Sequence, residues 1–506
     1  MAREKITSKV PFMGEGIKIN AGLNQLGMRS IGEQLFNKLL PGLNNVSSRI
    51  RYYSFYCWLF NRFYEGIEEA KVSDFQFYYK KAEYLLALIN SDKTGIPGST
   101  YAIKQKAVLQ NEYVLDAGVN GDWENKKYWK NPGGVFTQYY VRSLLDIGII
   151  GSIKDANDMP TSLYKPMSVG IDLAASFEES VTKGEADKFL YIVQSGVVKQ
   201  SELNELSVAF DMRSFPENSI ERSLLVELLL DVDYPTKEFS DRNRQRTIFY
   251  LLEYADTAVT PIRDLDFVSY MYSRFHNSTV RDNTLWGWYA YFINEDWQYQ
   301  SSFVFEELID TFLKKKENGR WVSIKIITED MVQVICDYWD VTESTLLCEV
   351  IDKIDDIESP KDDASAGIRQ LLYNYRQNLE IQKELAPLRN AFQALSNDNY
   401  FTFMQNISKR TNESFGDFLR YFIVEEIIYR HYQEAFRKMR VTGIATQKFS
   451  LEGGYIRYLA DVDTTHSSPR LETLIEFLND LGIIENDHLT PYGKQILKKM
   501  SHDKSA

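Results

Sequence analysis

Residues 39–65 read LLPGLNNVSSRIRYYSFYCWLFNRFYE, and the fold turns on how this stretch is interpreted. Pro41 and Gly42 break the chain, and Ser47 or Ser48 is placed to cap a new helix. At helical spacing Ile50, Tyr53, Cys57, Phe60 and Tyr64 share one face, while Tyr52, Phe55, Tyr56, Leu59 and Phe63 cover a second. A helix apolar on two sides is enclosed by neighbours rather than laid on a surface. Each such side chain contributes roughly 1.5–3 kcal/mol when buried, so this segment is expected to anchor the N-terminal core. Arg49 and Arg51 fall in its first turn, where the helix dipole disfavours cations, so another group is expected to hold them. A nucleic-acid phosphate is one candidate for that group.

Working outward, a short amphipathic helix (Ile31, Leu35, Leu39) precedes this segment. A longer helix follows from Ser73 or Asp74 to Asn90, with Phe75, Tyr78, Tyr79, Ala82, Leu85, Leu86 and Ile89 as its stripe. Residues 121–177 then hold a helix ending in LLDIGII (144–150), a polar spacer of hairpin length and a helix start at Ser168. Asp146 and Gly148 end the first helix, and Ile149 and Ile150 lead into a strand. The same grammar returns near the C-terminus: LNDLGII (478–484) aligns with LLDIGII, and TPYG (490–493) with MSVG (167–170). Helix, wing and following helix in this order resemble a winged-helix unit, and the recurrence strengthens that reading.

Lys126, Lys127, Lys130 and Arg142 lie in or just before the first presumed recognition helix, and make it the better candidate for DNA contact. The second carries Glu472, Glu476 and Asp480, which would face phosphates badly, so a protein-binding or packing role is expected there. Arg242 and Arg246, four residues apart, could grip a phosphate from one helical face; a solvated helix end is the competing reading. Residues 284–305 pack nine aromatics into one segment. Without interleaved Lys or Arg they point to a core rather than to a base-stacking platform.

Further along, residues 319–327 alternate, with Val322, Ile324 and Ile326 on one face, which predicts a short strand, with Thr328 capping the next helix. The acidic, turn-rich residues 352–367 read as a linker. Helical stretches are expected over 368–395 and 414–440, and Gly453-Gly454 between apolar runs predicts a hairpin over 449–459.

The whole chain has 506 residues, 44% of them hydrophobic and 25% charged, which suits a multi-domain globular protein. The net charge is −13, which opposes nucleic-acid binding. That charge is uneven: residues 1–130 hold 18 Lys and Arg against 13 Asp and Glu, and the remainder 40 against 58. Only three cysteines occur (Cys57, Cys336, Cys348), which argues against a disulfide framework or a cysteine zinc site and fits the cytoplasm. The N-terminus lacks the apolar stretch of a signal peptide, and no apolar run approaches the ~18 residues that span a bilayer.

The sequence carries little recognisable chemistry. Five histidines are present, none in an HxH, HExxH or HxxxH array. His431 and Glu434 share a helical face, but a hydrogen-bonded structural histidine is the simpler expectation. Gly14 and Gly16 lack the strand and third glycine of a phosphate loop, no GxxxxGKS/T loop occurs, and no GxSxG elbow occurs. No cofactor or metal is expected.

Two stretches carry a family resemblance. GLNQLGMRSIGEQLFNKLLPGLNNVSSRIRYYSFYCWLF resembles the N-terminal signature of an uncharacterised bacterial family. EEIIYRHYQEAFRKM, FSLEGGYIRYL and SPRLETLIEFLNDLGIIENDHLTPYG are similar to its C-terminal end. The resemblance covers about the first 60 and the last 90 residues and implies an antiphage-defence-type gene setting, with no catalytic motif.

The resulting expectation is a mostly α, multi-domain helical protein with two winged-helix-like units and a few short β-hairpins. The expected segments are an N-terminal helical domain (1–120), a winged-helix-like unit (121–182), a helical middle domain with a short strand (183–351), the linker (352–367), a helical region (368–440), and a hairpin with the second winged-helix-like unit (441–506). The functional expectation is a non-enzymatic DNA- or protein-binding subunit that recruits or regulates a separate effector. A nuclease with a dispersed acidic site and a pure protein scaffold are the alternatives.

Overall fold

The computed structural model describes residues 24–44, 46–65, 67, 69–109, 111–115, 133–230, 243–258, 261–315, 321–358, 363–381, 398–467 and 469–502. In chain order it begins α1 (Arg29–Leu39), α2 (Arg51–Phe63), α3 (Val72–Ile89), α4 (Ser99–Val108) and β1 (Glu112–Val114). A helix over 134–147 follows, π-helical at Phe136–Tyr140 and α-helical as α5 (Val141–Ile147). Next come β2 (Ile150–Lys154), β3 (Pro160–Pro166), α6 (Ser168–Val181), α7 (Lys183–Ser195), β4 (Val197–Lys199), α8 (Gln200–Leu206), α9 (Ile220–Leu230), α10 (Asn243–Thr257) and α11 (Asp264–Asn277). The chain continues through α12 (Asn283–Lys315), β5 (Val322–Ser323), α13 (Ile324–Trp339), α14 (Leu347–Asp352), α15 (Asp363–Gln377), α16 (Tyr400–Arg410) and α17 (Phe415–Tyr421). A π-helical segment (Phe422–Tyr429) leads into α18 (Arg430–Thr442), then β6 (Phe449–Glu452), β7 (Tyr455–Tyr458), α19 (Leu471–Asp480), β8 (Ile484–Glu485), β9 (His488–Leu489) and α20 (Pro491–His502). The protein is mostly α and multi-domain, with short antiparallel strand pairs. Among the described residues no helix is long and apolar enough to cross a membrane.

Two compact units form, each discontinuous in sequence: Met1–Leu35 with Val280–Ser467, and Phe36–Thr279 with Ser468–Ala506. The sequence reading expected consecutive segments instead. In the second unit α2 is the central element, buried along nearly its whole length as the two-sided pattern predicts. Its rings interlock with those of neighbouring elements: Phe55 and Trp58 against Phe177 and Phe189, and Tyr56 and Phe60 against Phe136. The helix begins at Arg51, after Ile50, with no side-chain cap. Ser47 and Ser48 are not caps. Asn44 Oδ1 organises that turn, accepting from the N–H groups of Val46 and Ser47.

In the first unit the aromatic stretch is core, with Trp288 and Tyr289 fully enclosed and Trp297 stacked on Phe403. Its helix α12 packs closely on α15, where a Cβ on Gly367 would lie 2.7 Å from the Gln300 carbonyl oxygen. Residues 363–367, expected in a linker, are thus the start of a packed helix; Ala364 and Ser365 are buried there. The expected strand over 319–327 shrinks to β5. Ile324, Ile327, Met331 and Ile335 are buried at helical spacing in α13, while Ile326 is exposed. That longer helical period outweighs the short alternation, and Thr328 lies inside the helix rather than capping it. The hairpin β6–β7 forms as expected, with Gly453 and Gly454 both at positive φ, and β5 adds to it as a third strand.

Both cassettes lie in the second unit and match residue for residue. Gly148 adopts φ 77° and Gly482 φ 63°. Ile149 N–H donates to Leu144 O at 3.1 Å and Gly148 N–H to Leu145 O at 2.9 Å. Ile483 N–H donates to Leu478 O at 2.8 Å and Gly482 N–H to Asn479 O at 2.9 Å. Each is a Schellman ending. The carbonyl of Ile149 then accepts Met167 N–H, and that of Ile483 accepts Thr490 N–H. Three residues on, a Cβ at Gly170 would sit 2.0 Å from Ile149 O, and one at Gly493 would sit 2.1 Å from Ile483 O. Only glycine lets the following helix approach the strand this closely. The connections differ: β2–β3 is a longer hairpin, whereas β8–β9 turns through Asn486 and Asp487, both at positive φ. Ser168 is the first residue of α6 rather than its cap, a position held by Met167.

Alanine at Gly170 or Gly493 should destabilise the protein by about 1–3 kcal/mol through overpacking. Gly184→Ala in α7, where a Cβ meets nothing within 4 Å, should be neutral or stabilising by up to about 1 kcal/mol. Thermal unfolding of the three variants checks the contrast.

Candidate interaction site around helix α2

The start of α2 holds two of the cations singled out in the sequence, Arg49 and Arg51. The Arg51 guanidinium is 1% exposed and faces Glu221, itself 0% exposed, at 3.2 Å. It also donates to the carbonyls of Ala209, Asp211 and Ser214. Glu221 Oε1 accepts in addition from Ser54 Oγ at 2.5 Å. Arg49 pairs with Asp480 at 2.8 Å and Glu476 at 2.9 Å, and donates to the Thr94 carbonyl. Something else does hold these arginines, as the dipole argument required, but it is protein carboxylate. Both are buried, so neither is placed to meet a phosphate. Asp480 likewise turns inward to Arg49 rather than outward, and burial pushes its carboxyl up to about 7 against the pull of that arginine.

α2 thereby touches both cassettes. The Tyr53 ring meets Tyr140, on the helix leading into the first, and Phe477, on the helix leading into the second. Asn44 and Ser47, just before α2, donate to the Tyr139 carbonyl. The N-terminus of the 134–147 helix is held from α3. Glu83, buried, accepts from Val135 N–H at 2.9 Å, Phe136 N–H at 2.8 Å and Tyr56 O–H at 3.0 Å. A carboxylate is well suited to the positive end of a helix. Gly134, at φ 69°, makes room for it, since a Cβ there would come within 2.4 Å of Glu83 Oε2. Burial nonetheless pushes the Glu83 carboxyl up to about 8.

No protein-family model, curated protein or solved structure matches the chain. Arg142 projects from α5 with its side chain 82% exposed and pairs with Asp146 one turn on. The outward positions of that helix are Gln138, Arg142 and Asp146, a row with no net charge. Arg246 lies half-buried on α10. Lys126, Lys127, Lys130 and Arg242 lie outside the described residues.

His431 is a structural histidine. Its Nδ1 lies 3.0 Å from the Gln25 carbonyl and its Nε2 accepts Lys448 N–H at 2.9 Å, which fixes one neutral tautomer. Burial lowers it to about 4. Among the described residues no group of three or more His, Cys, Asp or Glu is placed to hold a metal. The carboxylates that organise the site, Glu83 and Glu221, were missed in the sequence. Glu83 is the lone acid in the apolar run AEYLLALI, which is the available signal there; Glu221 opens ERSLLVELLL beside Arg222 and carries no such signal.

Two pH tests follow. Glu83 has a raised carboxyl, so its contribution to stability is full below about 4.5 and is lost as pH rises through about 8; Glu83→Gln should flatten the wild-type decline over that window in urea titrations. His431 has a lowered imidazole, so its contribution is full above 6.5 and is lost as pH falls through about 4. His431→Gln should remove that part of the acid sensitivity.

Proposed function

We propose that this chain is a non-enzymatic protein-binding subunit of a bacterial antiphage-defence-type system, which recruits or regulates a separate effector. In this reading the two cassettes are winged-helix-like modules used for protein contact. The observation that carries it is the matched pair of cassettes, both built on α2 in one unit. Such duplication suits recognition and scaffolding, and the system-level setting rests on the family resemblance of the two terminal stretches.

The surface chemistry favours protein over DNA at both cassettes. The outward row of the first is neutral overall, and α19 presents Glu472, which repels phosphate. DNA binding is the second reading. It is favoured by the exposed Arg142 together with the sequence cluster of Lys126, Lys127 and Lys130.

Co-expression with the products of adjacent genes should give a stable complex with the full chain, read by size-exclusion chromatography; a chain that elutes alone in every combination refutes the protein-binding reading. DNA affinity that falls steeply with salt, and is lost on reversing the charge of Lys126, Lys127 and Lys130, would establish the second reading instead.

A further inference from the structure

A single residue, Thr182, joins α6 to α7. It adopts φ 64° and ψ 148°, a conformation open to glycine and strained for other residues, most of all a β-branched one. Among the described non-glycine residues at positive φ it alone is β-branched; the others are asparagines, aspartates and one arginine. Its carbonyl accepts Ala186 N–H at 3.0 Å and its hydroxyl donates to Glu185 Oε2 at 2.8 Å, so α7 starts directly from the strained residue.

Strain of this kind persists only where the surroundings enforce it. Here two contacts across the joint do so. Phe177 of α6 and Phe189 of α7 both meet Phe55 and Trp58 of α2, and both meet Phe210, with Phe189 stacked on it at 4.3 Å. Arg62, also on α2, bonds Glu178 of α6 at 2.9 Å and Asp187 of α7 at 3.2 Å, so one guanidinium bridges the joint. Past α7 the chain runs through β4, which pairs with β1 over three residues, and α8. It is next held at Ala209, whose carbonyl accepts from Arg51.

We propose that residues 183–206 form a hinged flap over the rings of α2, strained at Thr182 and latched by Arg62, which opens while the rest of the second unit stays folded. The partners of Arg49 and Arg51 and both cassettes lie outside the flap. Opening therefore leaves the placement of α2 intact. It uncovers one side of Phe55, Trp58 and Phe210, which the closed chain encloses. Elements held by few buried contacts open before the core does, and α7 buries only Ala186, Phe189, Ile192 and Val193.

Hydrogen exchange of the full chain under native conditions, read peptide by peptide by mass spectrometry, tests this. Peptides across 183–206 should share one level of protection, below that of α2 and α6. Thr182→Gly relieves the strain and should raise that protection about 3-fold or more, even against the looser open chain that glycine brings. Thr182→Ala keeps a Cβ on the strained backbone and should not raise it. Asp187→Lys sets a cation beside Arg62 and should lower the same protection about 3-fold or more, with α2 and α6 unchanged. The flap is refuted if 183–206 is as protected as α2, if Thr182→Gly leaves its protection unchanged or lower, or if the variants shift every peptide of the second unit alike. Unchanged protection in Asp187→Lys refutes the latch.

Discussion

The second unit depends on the burial of two arginines at the start of one helix. Taking a guanidinium out of water is costly unless a charge and further acceptors meet it. Arg51 is met by Glu221 and three carbonyls, and Arg49 by Asp480 and Glu476. These partners come from α9 and α19, so satisfying two charges fixes where two distant elements must lie. The apolar rings of α2 supply adhesion, and the arginines supply position. A helix made of rings alone could settle in several rotations; charges with fixed partners reduce these to one.

Much of the architecture was legible because it depends on patterns of short range. The α2 stripe, the Gly453-Gly454 hairpin and the two LxxxGII cassettes each need particular residues at fixed offsets, and a Schellman ending requires its glycine. What was not legible depended on competing periods or on distance. Val322, Ile324 and Ile326 alternate like a strand, but Ile324, Ile327, Met331 and Ile335 repeat like a helix for longer. The acidic run at 352–367 has a linker's composition, yet Ala364, Ser365 and Gly367 are small because α15 lies close against α12.

The site was harder to read for a related reason. A sequence displays charge but hides burial. Arg49 and Arg51 read as cations available to a phosphate, and Asp480 as an acid facing solvent; the fold turns Arg49 and Asp480 toward each other and Arg51 toward Glu221. Glu83, a lone acid in an apolar run, carries a local mark of burial, whereas nothing local separates Glu221 from a surface acid. The aligned pair Asp146 and Asp480 makes the point most sharply: equivalent cassette positions serve an exposed turn-to-turn pair in one copy and a buried anchor in the other.

The pairing of Arg49 with Asp480 spans 431 residues, and that of Gln25 with His431 spans 406. During synthesis at ~5–20 residues per second, each early partner waits roughly 20–90 s for its late one. Neither unit can therefore close while its N-terminal part is newly emerged from the ribosome. The nascent chain carries Arg49 without its carboxylate for most of its translation, whereas the rings of α2 can close on Phe136, Phe177 and Phe189 before half of the chain is made.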